Sequence, residues 1–368
     1  MNGLGLKKPE TTDEFHNVML AFKNNDPNKN GLKDEIAISG AIKTGGSSEP
    51  EYFLLNSFTY VDYNHFLYVN NGKIEFVANT PEYREGLIYV RKLYLDGLLD
   101  PASFTQDLAQ LTQLGTSDPE ILGSFAALHP AMAIDISDRE RSSHYDYLVN
   151  PKGPKGIQYA VYAGMDGYYD SISVAITDKC KYPEIAMRAI DYMYTEEMQM
   201  NSIGPEGLKW EWVDDPNLLD MYGNKARYRY LTTYVSDALR TDVITDEFPL
   251  SLSATLWGRE VADVKGDIFD PANYGVRLAK ATQAYVPYFP KEVIVPYKFD
   301  QATSEELAIK KVSIVNYVQQ ATTRFITGDM SIENDWDSYL KALENLNVKR
   351  YLEIYQQGYN DLKELEGK

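Results

Sequence analysis

Apolar side chains recur with a helical period of about 3.6 residues in several stretches of the chain. The sharpest of these stretches runs from about Ser304 to Thr327, and Gly328 ends it. A second begins at Thr80-Pro81, where threonine can cap a helix and proline suits its first turn, and stops at Gly97. Further helices are predicted after the capping-box pair Thr11 and Glu14, from Pro183 to Met198, and in two segments between Trp336 and Leu362.

Shorter apolar stretches lie between these helices and predict strands. Residues 65–69 and 73–77 flank Asn70-Asn71-Gly72, and Asn-Gly accepts positive φ cheaply, so the sequence predicts a β-hairpin here. Strands are also predicted at residues 37–44, 131–134 and 171–177. Residues 105–130 are predicted to be mostly helical, and residues 205–300 to form short helices and loops. The alternation of strands and helices indicates an α/β protein.

Length and charge narrow the class of protein. At 368 residues the chain exceeds one ordinary compact domain, so two lobes are expected. No apolar run approaches the roughly 20 residues that span a bilayer. The net charge of −18 opposes binding to nucleic acid, and it opposes docking on anionic lipid by charge alone. The single cysteine, Cys180, excludes an internal disulfide, and CxxC zinc patterns are absent.

Aromatic content favours one class of ligand. The chain has 29 tyrosines and 4 tryptophans, whose rings combine a flat apolar face with a hydrogen-bonding edge. Sugars present complementary surfaces, CH faces ringed by hydroxyl groups. For each ring the alternative is packing in the core.

Residues 26–35, Asp-Pro-Asn-Lys-Asn-Gly-Leu-Lys-Asp-Glu, open like an EF-hand loop. Oxygen-bearing side chains at positions 1, 3 and 5 are followed by glycine at position 6. Position 12 is Ala37, so the closing glutamate of a true EF-hand is absent, and Glu35 is the natural substitute. The alternative is a polar turn. The predicted ligands of a structural Ca²⁺ are Asp26, Asn28, Asn30, the Leu32 carbonyl, Asp34 and Glu35.

Sequence patterns of several enzyme active sites are absent. The chain has no HExxH zinc pair, no GxSxG elbow, no Walker A loop and no GxGxxG turn. Its 4 histidines are scattered, and no sequence rule selects an acid/base pair from 54 carboxylates. No catalytic residue is predicted, and no enzyme activity is expected.

Four segments, in their order along the chain, resemble the family 1 extracellular solute-binding proteins. The resemblance is to the large surface lipoproteins of Gram-positive bacteria and to the alginate-binding proteins. It implies a two-lobed, periplasmic-binding-protein-like (type II) α/β fold with a hinge, and calcium at the ligands given above. The segments are residues 4–15 with the loop at 26–35, residues 83–107, residues 176–212 and residues 325–339.

The resemblance also implies how the chain is divided. Residues 1–155 are expected to form the lobe that follows the first crossing and carries the calcium loop. Residues 156–300 are expected to form part of the N-terminal-type lobe, and residues 301–368 the crossing helix and the C-terminal helices. In such proteins a long stretch with a signal peptide and a lipidated cysteine precedes the counterpart of residues 4–15. The N-terminal lobe is therefore expected to be incomplete in this chain.

The function implied is that of the substrate-binding component of an ABC transporter. Such a protein is an extracellular, monomeric lipoprotein that captures an oligosaccharide or related carbohydrate by hinge closure and delivers it to permease subunits. The segments 48–52 and 166–170 are candidates for the edge of the cleft. A carbohydrate-active enzyme (a glycoside hydrolase or polysaccharide lyase) and a calcium-braced adhesion module are the alternatives. The ligand-contact candidates are Tyr52, Tyr168, Tyr169, Asp170, Glu206, Trp210 and Trp257.

Overall fold

The structure is a computed structural model that describes residues 4–44, 47–162, 174–231, 256–294 and 297–366. The chain divides into two compact units. Unit 1 comprises Met1–Ile134, Tyr147–Asp170 and Tyr285–Lys368, and unit 2 comprises Asp135–Asp146 and Ser171–Ala284. The predicted boundaries after residues 155 and 300 do not coincide with the ends of these segments, and the division into lobes stays a prediction.

Helices make up most of the regular structure in the described residues. The α-helices are α1 (Thr12–Asn24), α2 (Pro50–Leu55), α3 (Pro81–Leu95), α4 (Leu108–Gly115), α5 (Arg139–Ser143), α6 (Pro183–Met193), α7 (Glu196–Asn201), α8 (Tyr274–Tyr285), α9 (Gln301–Thr327), α10 (Trp336–Asn345) and α11 (Val348–Glu366). Short 3₁₀ helices cover Val77–Asn79, Pro101–Phe104, Pro130–Met132, Pro271–Asn273 and Val286–Tyr288. Each helix in the described ranges is either too short or too polar to span a lipid bilayer.

The predicted hairpin is confirmed. Strands β1 (Leu67–Asn70) and β2 (Lys73–Phe76) pair antiparallel, with Leu67 opposite Phe76 and Asn70 opposite Lys73. The turn between them has φ of 50° at Asn71 and 77° at Gly72, which asparagine and glycine tolerate. In unit 2, β3 (Trp210–Trp212) and β4 (Tyr228–Tyr230) form a second antiparallel pair.

The predicted long helices are present, although α9 begins at Gln301, three residues before the predicted start at about Ser304. Thr11 and Glu14 form a reciprocal capping box at the start of α1. Asp300 caps α9, and Gly328 follows it with φ of 99° in the left-handed region that glycine adopts most easily. Thr80 caps α3 through a hydrogen bond from the N–H of Tyr83.

The core of unit 1 joins residues from both ends of the chain. Helices α3 and α9 pack against each other, and α11 packs against α9 and β2. The Tyr83 hydroxyl of α3 lies 2.6 Å from Thr322 Oγ1 of α9, and the Tyr339 hydroxyl of α10 donates to the Ala78 carbonyl at 2.9 Å. The side chains of Tyr83, Thr322 and Tyr339 are fully or almost fully buried. Their hydrogen bonds therefore satisfy polar atoms that would otherwise be buried without a partner.

Unit 2 has a small core of its own. Met200, Trp210, Tyr228 and Leu256 pack together within the described residues. The buried Arg277 of α8 donates to Ser142 Oγ of α5 at 2.8 Å, so it links the two sequence segments of this unit. The guanidinium also lies over the Phe269 ring, 4.8 Å from its centroid.

Several predicted elements are wrong. Residues 37–44 form no continuous strand. Ile36, Ile38 and Ser39 make single parallel bridges to Leu122, Leu99 and Phe125, so the partners lie in two different segments, near residue 99 and at residues 122–125. Residues 131–134 begin in a 3₁₀ turn instead of a strand. Within residues 105–130 only α4 is an α-helix, and a Cβ at its last residue, Gly115, would lie 2.1 Å from the Ala133 carbonyl oxygen.

Two predictions in unit 2 also need correction. The predicted helix from Pro183 to Met198 is interrupted after Met193, because Thr195 is extended and caps α7 by accepting from the N–H of Met198. Of the predicted buried strand 171–177, residues 171–173 lie outside the described residues. Residues 174–177 are not a strand, and Val174 is 54% exposed.

Candidate functional site

The predicted calcium loop follows α1 and is curled by side chains that accept backbone N–H groups. The two carboxylate oxygens of Asp26 accept from the N–H groups of Asn30 at 3.0 Å and Gly31 at 2.9 Å. Asn28 Oδ1 accepts from the same Asn30 N–H at 3.0 Å. φ is positive at Asp26 (44°), Lys29 (60°) and Gly31 (77°), as a tight curl requires. Loop positions 1 and 3 therefore direct oxygen atoms towards the same turn of backbone.

The later ligand candidates contact the earlier ones. Asn30 Oδ1 accepts from the Leu32 N–H at 2.7 Å, and the Asn30 amide donates to Asp34 Oδ2 at 3.1 Å. The Leu32 side chain is exposed, and only its carbonyl belongs to the predicted ligand set. The structure thus brings Asn30 and Asp34 together.

The side-chain carboxyl group of Glu35 is buried and has no hydrogen-bond partner among the described residues. Neither of its carboxylate oxygens is accessible to solvent, and neither has a hydrogen-bond partner in the described part of the chain. Burying a carboxylate without a partner is strongly unfavourable, and a bound cation would remove that cost. Across the described ranges, no group of three or more His, Cys, Asp and Glu side chains could hold a metal. The donors proposed here also include amide and carbonyl oxygens, the hard ligands that suit Ca²⁺.

The loop is attached to a neighbouring segment of unit 1. The Asn28 amide donates to the Glu120 carbonyl at 2.9 Å. Directly after the loop, the Ile36 N–H donates to the Ile121 carbonyl at 2.9 Å, and the Ile36 carbonyl accepts from Gly123 at 2.8 Å. The shape of the loop is therefore coupled to the position of residues 120–123.

The ligand-contact candidates differ in exposure. In unit 1, Tyr52 lies in α2, is only 3% exposed, and packs edge-on against Tyr63 with ring centroids 4.9 Å apart. In unit 2, Trp210 is 2% exposed, and its indole N–H donates to the Gly204 carbonyl at 2.8 Å. Both rings are core residues, so their burial does not support direct contact with a solute.

The other candidates have accessible side chains or lie outside the described residues. Glu206 is exposed, and Trp257 is 62% exposed. Their role as ligand contacts stays a prediction. Tyr168, Tyr169 and Asp170 lie outside the described residues, as does the whole segment 166–170.

A buried acidic pair lies in the candidate segment 48–52. Thr44 Oγ1 donates to Glu49 Oε2 at 2.6 Å, whereas Glu51 Oε2 is buried without a hydrogen-bond partner among the described residues. Burial, with a smaller contribution from Glu49, raises the pKa of Glu51 to about 8. Burial and the two nearby carboxylates raise the pKa of Tyr63 to about 12. Glu51 is therefore a neutral acid at neutral pH.

A tyrosine cluster in unit 1 was not predicted from the sequence. Its members are Tyr60, Tyr68 and Tyr159, whose ring centroids are 5.7 to 5.9 Å apart. The hydroxyl oxygens of Tyr68 and Tyr159 are 3.2 Å apart. Tyr60 is buried, whereas Tyr68 and Tyr159 are half-buried. No local sequence signal could have revealed this cluster, because residues 68 and 159 are far apart in the chain.

Solved structures of solute-binding proteins have a fold similar to that of this chain. The S. pneumoniae ABC-transporter substrate-binding protein FusA in complex with kestose has a TM-score of 0.74 and 24% identity, and the match covers 98% of this chain and 70% of that one. An HMO-binding, ABC-transporter-associated solute-binding protein of Bifidobacterium longum infantis has a TM-score of 0.69 and 21% identity, over 98% and 71% of the two chains. The fold is therefore that of the extracellular solute-binding proteins, as the sequence predicts.

Sequence comparison indicates particular relatives. The chain is 28% identical over 364 residues to the fructooligosaccharide ABC transporter substrate-binding protein FusA of Streptococcus pneumoniae serotype 4, over 97% of this chain and 63% of that protein. It is 22% identical over 379 residues to the polygalacturonan/rhamnogalacturonan-binding protein YtcQ of Bacillus subtilis, over 99% and 66%. The chain thus spans less than two thirds of the length of these relatives.

These comparisons confirm the resemblance to substrate-binding proteins of ABC transporters, and the relatives are binding proteins rather than enzymes. One solved structure of FusA, with a TM-score of 0.72 and 24% identity over 98% of this chain and 70% of that one, is of an EF-hand mutant in complex with fructo-nystose. No protein-family profile matches the chain.

Proposed function

We propose that the chain is part of the substrate-binding component of an ABC transporter and captures an oligosaccharide or related carbohydrate. The observation that carries the proposal is the 28% identity to a fructooligosaccharide-binding protein over 97% of this chain. The fold supports it, since solute-binding proteins for oligosaccharides share that fold over 98% of the chain. The protein would act outside the cell as a lipid-anchored monomer, close about its hinge, and release the solute unaltered to permease subunits.

Ligand binding is the first test. A protein that binds a solute only in its folded state is stabilised by mass action, by about 2.7 kcal/mol at 100 times the dissociation constant. A thermal-shift screen against neutral and acidic oligosaccharides is therefore expected to find sugars that raise the melting temperature, and titration calorimetry measures their affinity. If no saccharide raises the melting temperature, the proposed function is wrong.

Catalysis is the second test, because a carbohydrate-active enzyme would also bind sugars. The protein is incubated with each stabilising oligosaccharide, and the products are assayed for new reducing ends and for unsaturated sugars. A carrier is expected to return the sugar unchanged. Release of product at enzymatic rates would favour the hydrolase or lyase alternative.

We also propose that residues 26–35 hold a structural Ca²⁺. The buried, unpartnered carboxylate of Glu35 and the contact between Asn30 and Asp34 support this proposal. The ion would neutralise the Glu35 charge and fix the loop against residues 120–123. The six predicted residues, Asp26, Asn28, Asn30, Leu32, Asp34 and Glu35, would be its ligands. This metal would have no catalytic role.

A further inference from the structure

The tyrosine cluster occupies the open face of the β1–β2 hairpin. Along β1, Leu67 and Val69 are buried, whereas Tyr68 between them is half-buried and therefore lies on the opposite face. Directly across from Tyr68 in the hairpin register is Glu75, a charged residue on that same face. Tyr68 and Glu75 are both half-buried, whereas their neighbours along each strand on the other face are buried. The face with Tyr68 and Glu75 is therefore not the face that packs on the core.

A backbone hydrogen bond and contacts with a buried ring hold the cluster in place. The N–H of Tyr159 donates to the Asn56 carbonyl at 3.0 Å, which fixes the backbone below this ring. Tyr60 is buried and supports the other two rings from the protein side. Two half-buried phenol rings with adjacent hydroxyl groups, on a fixed base, are a surface that can stack on a sugar ring and hydrogen-bond its hydroxyl groups.

Two carboxylates, those of Glu75 and Glu292, lie near this surface. Glu292 accepts from the Tyr359 hydroxyl at 2.7 Å and from the Gly72 N–H at 3.1 Å. These hydrogen bonds, with a smaller contribution from the nearby Lys363, lower the pKa of Glu292. Both Glu75 and Glu292 are close enough to act on the Tyr68 phenol, although burial is the main cause that raises its pKa to about 12. Lys73 lies 3.4 Å from Glu75, but its side chain is 75% exposed, so solvent screens this pair.

We propose that the tyrosine cluster is a solute-contact surface of unit 1, and that the sugar unit it contacts is uncharged. The inference rests on the proposed function, because it names a contact surface and the charge class of the same solute. A uronic acid would place its carboxylate near Glu75 and Glu292 in a protein of net charge −18, and like charges repel. A neutral sugar would instead donate its hydroxyl groups to the phenol oxygens. Among the relatives, one binds a fructooligosaccharide and another polygalacturonan, so homology alone does not decide this.

The test compares affinities of the purified protein and its variants for neutral and acidic trisaccharides. The neutral probes are kestose, maltotriose and cellotriose, the acidic probe is trigalacturonate, and calorimetry gives each dissociation constant. Tyr68→Phe removes one hydroxyl group and is expected to weaken binding of the neutral solute about fivefold to tenfold. Tyr159→Ala removes a ring and is expected to weaken binding by more than about tenfold.

Tyr94→Phe is the matched control. Tyr94 is also a half-buried tyrosine of unit 1, and it packs edge-on against Phe104 with centroids 6.2 Å apart. Its affinity for the neutral solute is expected to equal that of the wild type. If Tyr159→Ala has a lowered melting temperature without ligand, Tyr159→Phe replaces it, because this variant keeps the ring and loses only the hydroxyl group.

The possible results separate the two proposals. Weaker neutral binding in the Tyr68 and Tyr159 variants, but not in Tyr94→Phe, supports the inference. If the wild type binds a neutral sugar and all variants bind it equally, the contact surface is wrong while the proposed function stands. If trigalacturonate binds more tightly than every neutral probe, the contacted sugar unit is not uncharged and that part of the proposal is wrong. If neither these four probes nor any saccharide of the thermal-shift screen binds, the proposed function is wrong and the inference with it.

Discussion

Glu51 shows how a single side chain can couple the fold to pH. Its carboxyl group is buried beside Glu49, and its pKa of about 8 means that the folded protein keeps a proton that the unfolded chain releases near pH 4.5. Stability therefore falls as pH rises from about 4.5 to about 8, by roughly 1.4 kcal/mol per pH unit at most, and levels off above that window. At physiological pH, the buried Glu51 therefore makes the folded protein less stable than it is at pH 4.5.

Glu51→Gln removes this titration. At pH 8 we expect the variant to be more stable than the wild type by as much as a few kcal/mol, and at pH 4.5 we expect nearly equal stability, because both side chains are then neutral. Urea denaturation at pH 4.5, 6, 7 and 8 measures the free energy of unfolding. Glu344→Gln, on the exposed side of α10, is the control and should not change the pH profile. If the free energy of unfolding of Glu51→Gln depends on pH in the same way as that of the wild type, the raised pKa of Glu51 is contradicted.

Histidine 65 is another residue whose role only the structure reveals. Its Nδ1 lies 2.6 Å from Asp62 Oδ2, and its Nε2 lies 2.8 Å from Lys311 Nζ. The imidazole ring therefore lies between a carboxylate and an amine. The sequence showed a scattered histidine. Asp62 is close in the sequence, but Lys311 lies on α9, far along the chain, so sequence reasoning could not have found this contact.

At the scale of elements, the predicted helices α1, α3 and α9 and the hairpin are confirmed, because their signals are local. Caps, a hydrophobic period and an Asn-Gly turn all lie within the element itself. The strand predicted at residues 37–44 is wrong because its pairing depends on partners near residues 99 and 122–125. The calcium loop is also a local signal, whereas the tyrosine cluster is a product of tertiary folding.

A substitution at Glu35 in the calcium loop is expected to affect the melting temperature differently in EGTA and in Ca²⁺. Glu35→Gln removes a buried charge, so in the presence of EGTA its melting temperature should equal or exceed that of the wild type. The same variant loses a ligand, so the rise in melting temperature on adding Ca²⁺ should be smaller than in the wild type. Thermal unfolding of both proteins with EGTA and with millimolar Ca²⁺ measures both effects.

Asp26→Ala combined with Asp34→Ala should abolish the calcium response. The control is Asp178→Ala with Asp191→Ala, which removes the same charge from exposed positions in unit 2 and should keep the full response. A wild type that is equally stable with EGTA and with Ca²⁺ would mean that residues 26–35 form only a polar turn. An unchanged response in Glu35→Gln would remove that residue from the ligand set.

At the scale of the whole molecule, the dominant electrostatic feature is the net charge of −18. Such a charge opposes compaction, and added salt screens the repulsion over a Debye length of about 10 Å at 0.1 M. In EGTA, raising NaCl from about 0.01 M to about 0.3 M is therefore expected to raise the melting temperature by a few degrees. Differential scanning calorimetry tests this. A decrease would mean that attractive ion pairs, such as Arg350 with Glu306, outweigh the repulsion.

Unit 1 is built from segments that are far apart in the sequence, so its packing partners leave the ribosome at different times. Helix α3 (Pro81–Leu95) packs on α9 (Gln301–Thr327), so the partner of the earlier helix is translated long after it. At about 5–20 residues per second, the ribosome needs on the order of 10 to 40 seconds to cover the interval. During that time the part of α3 that packs on α9 lacks its native cover, although α2, which also packs on α3, is already made. The uncovered part is where non-native contacts can form before α9 is synthesised.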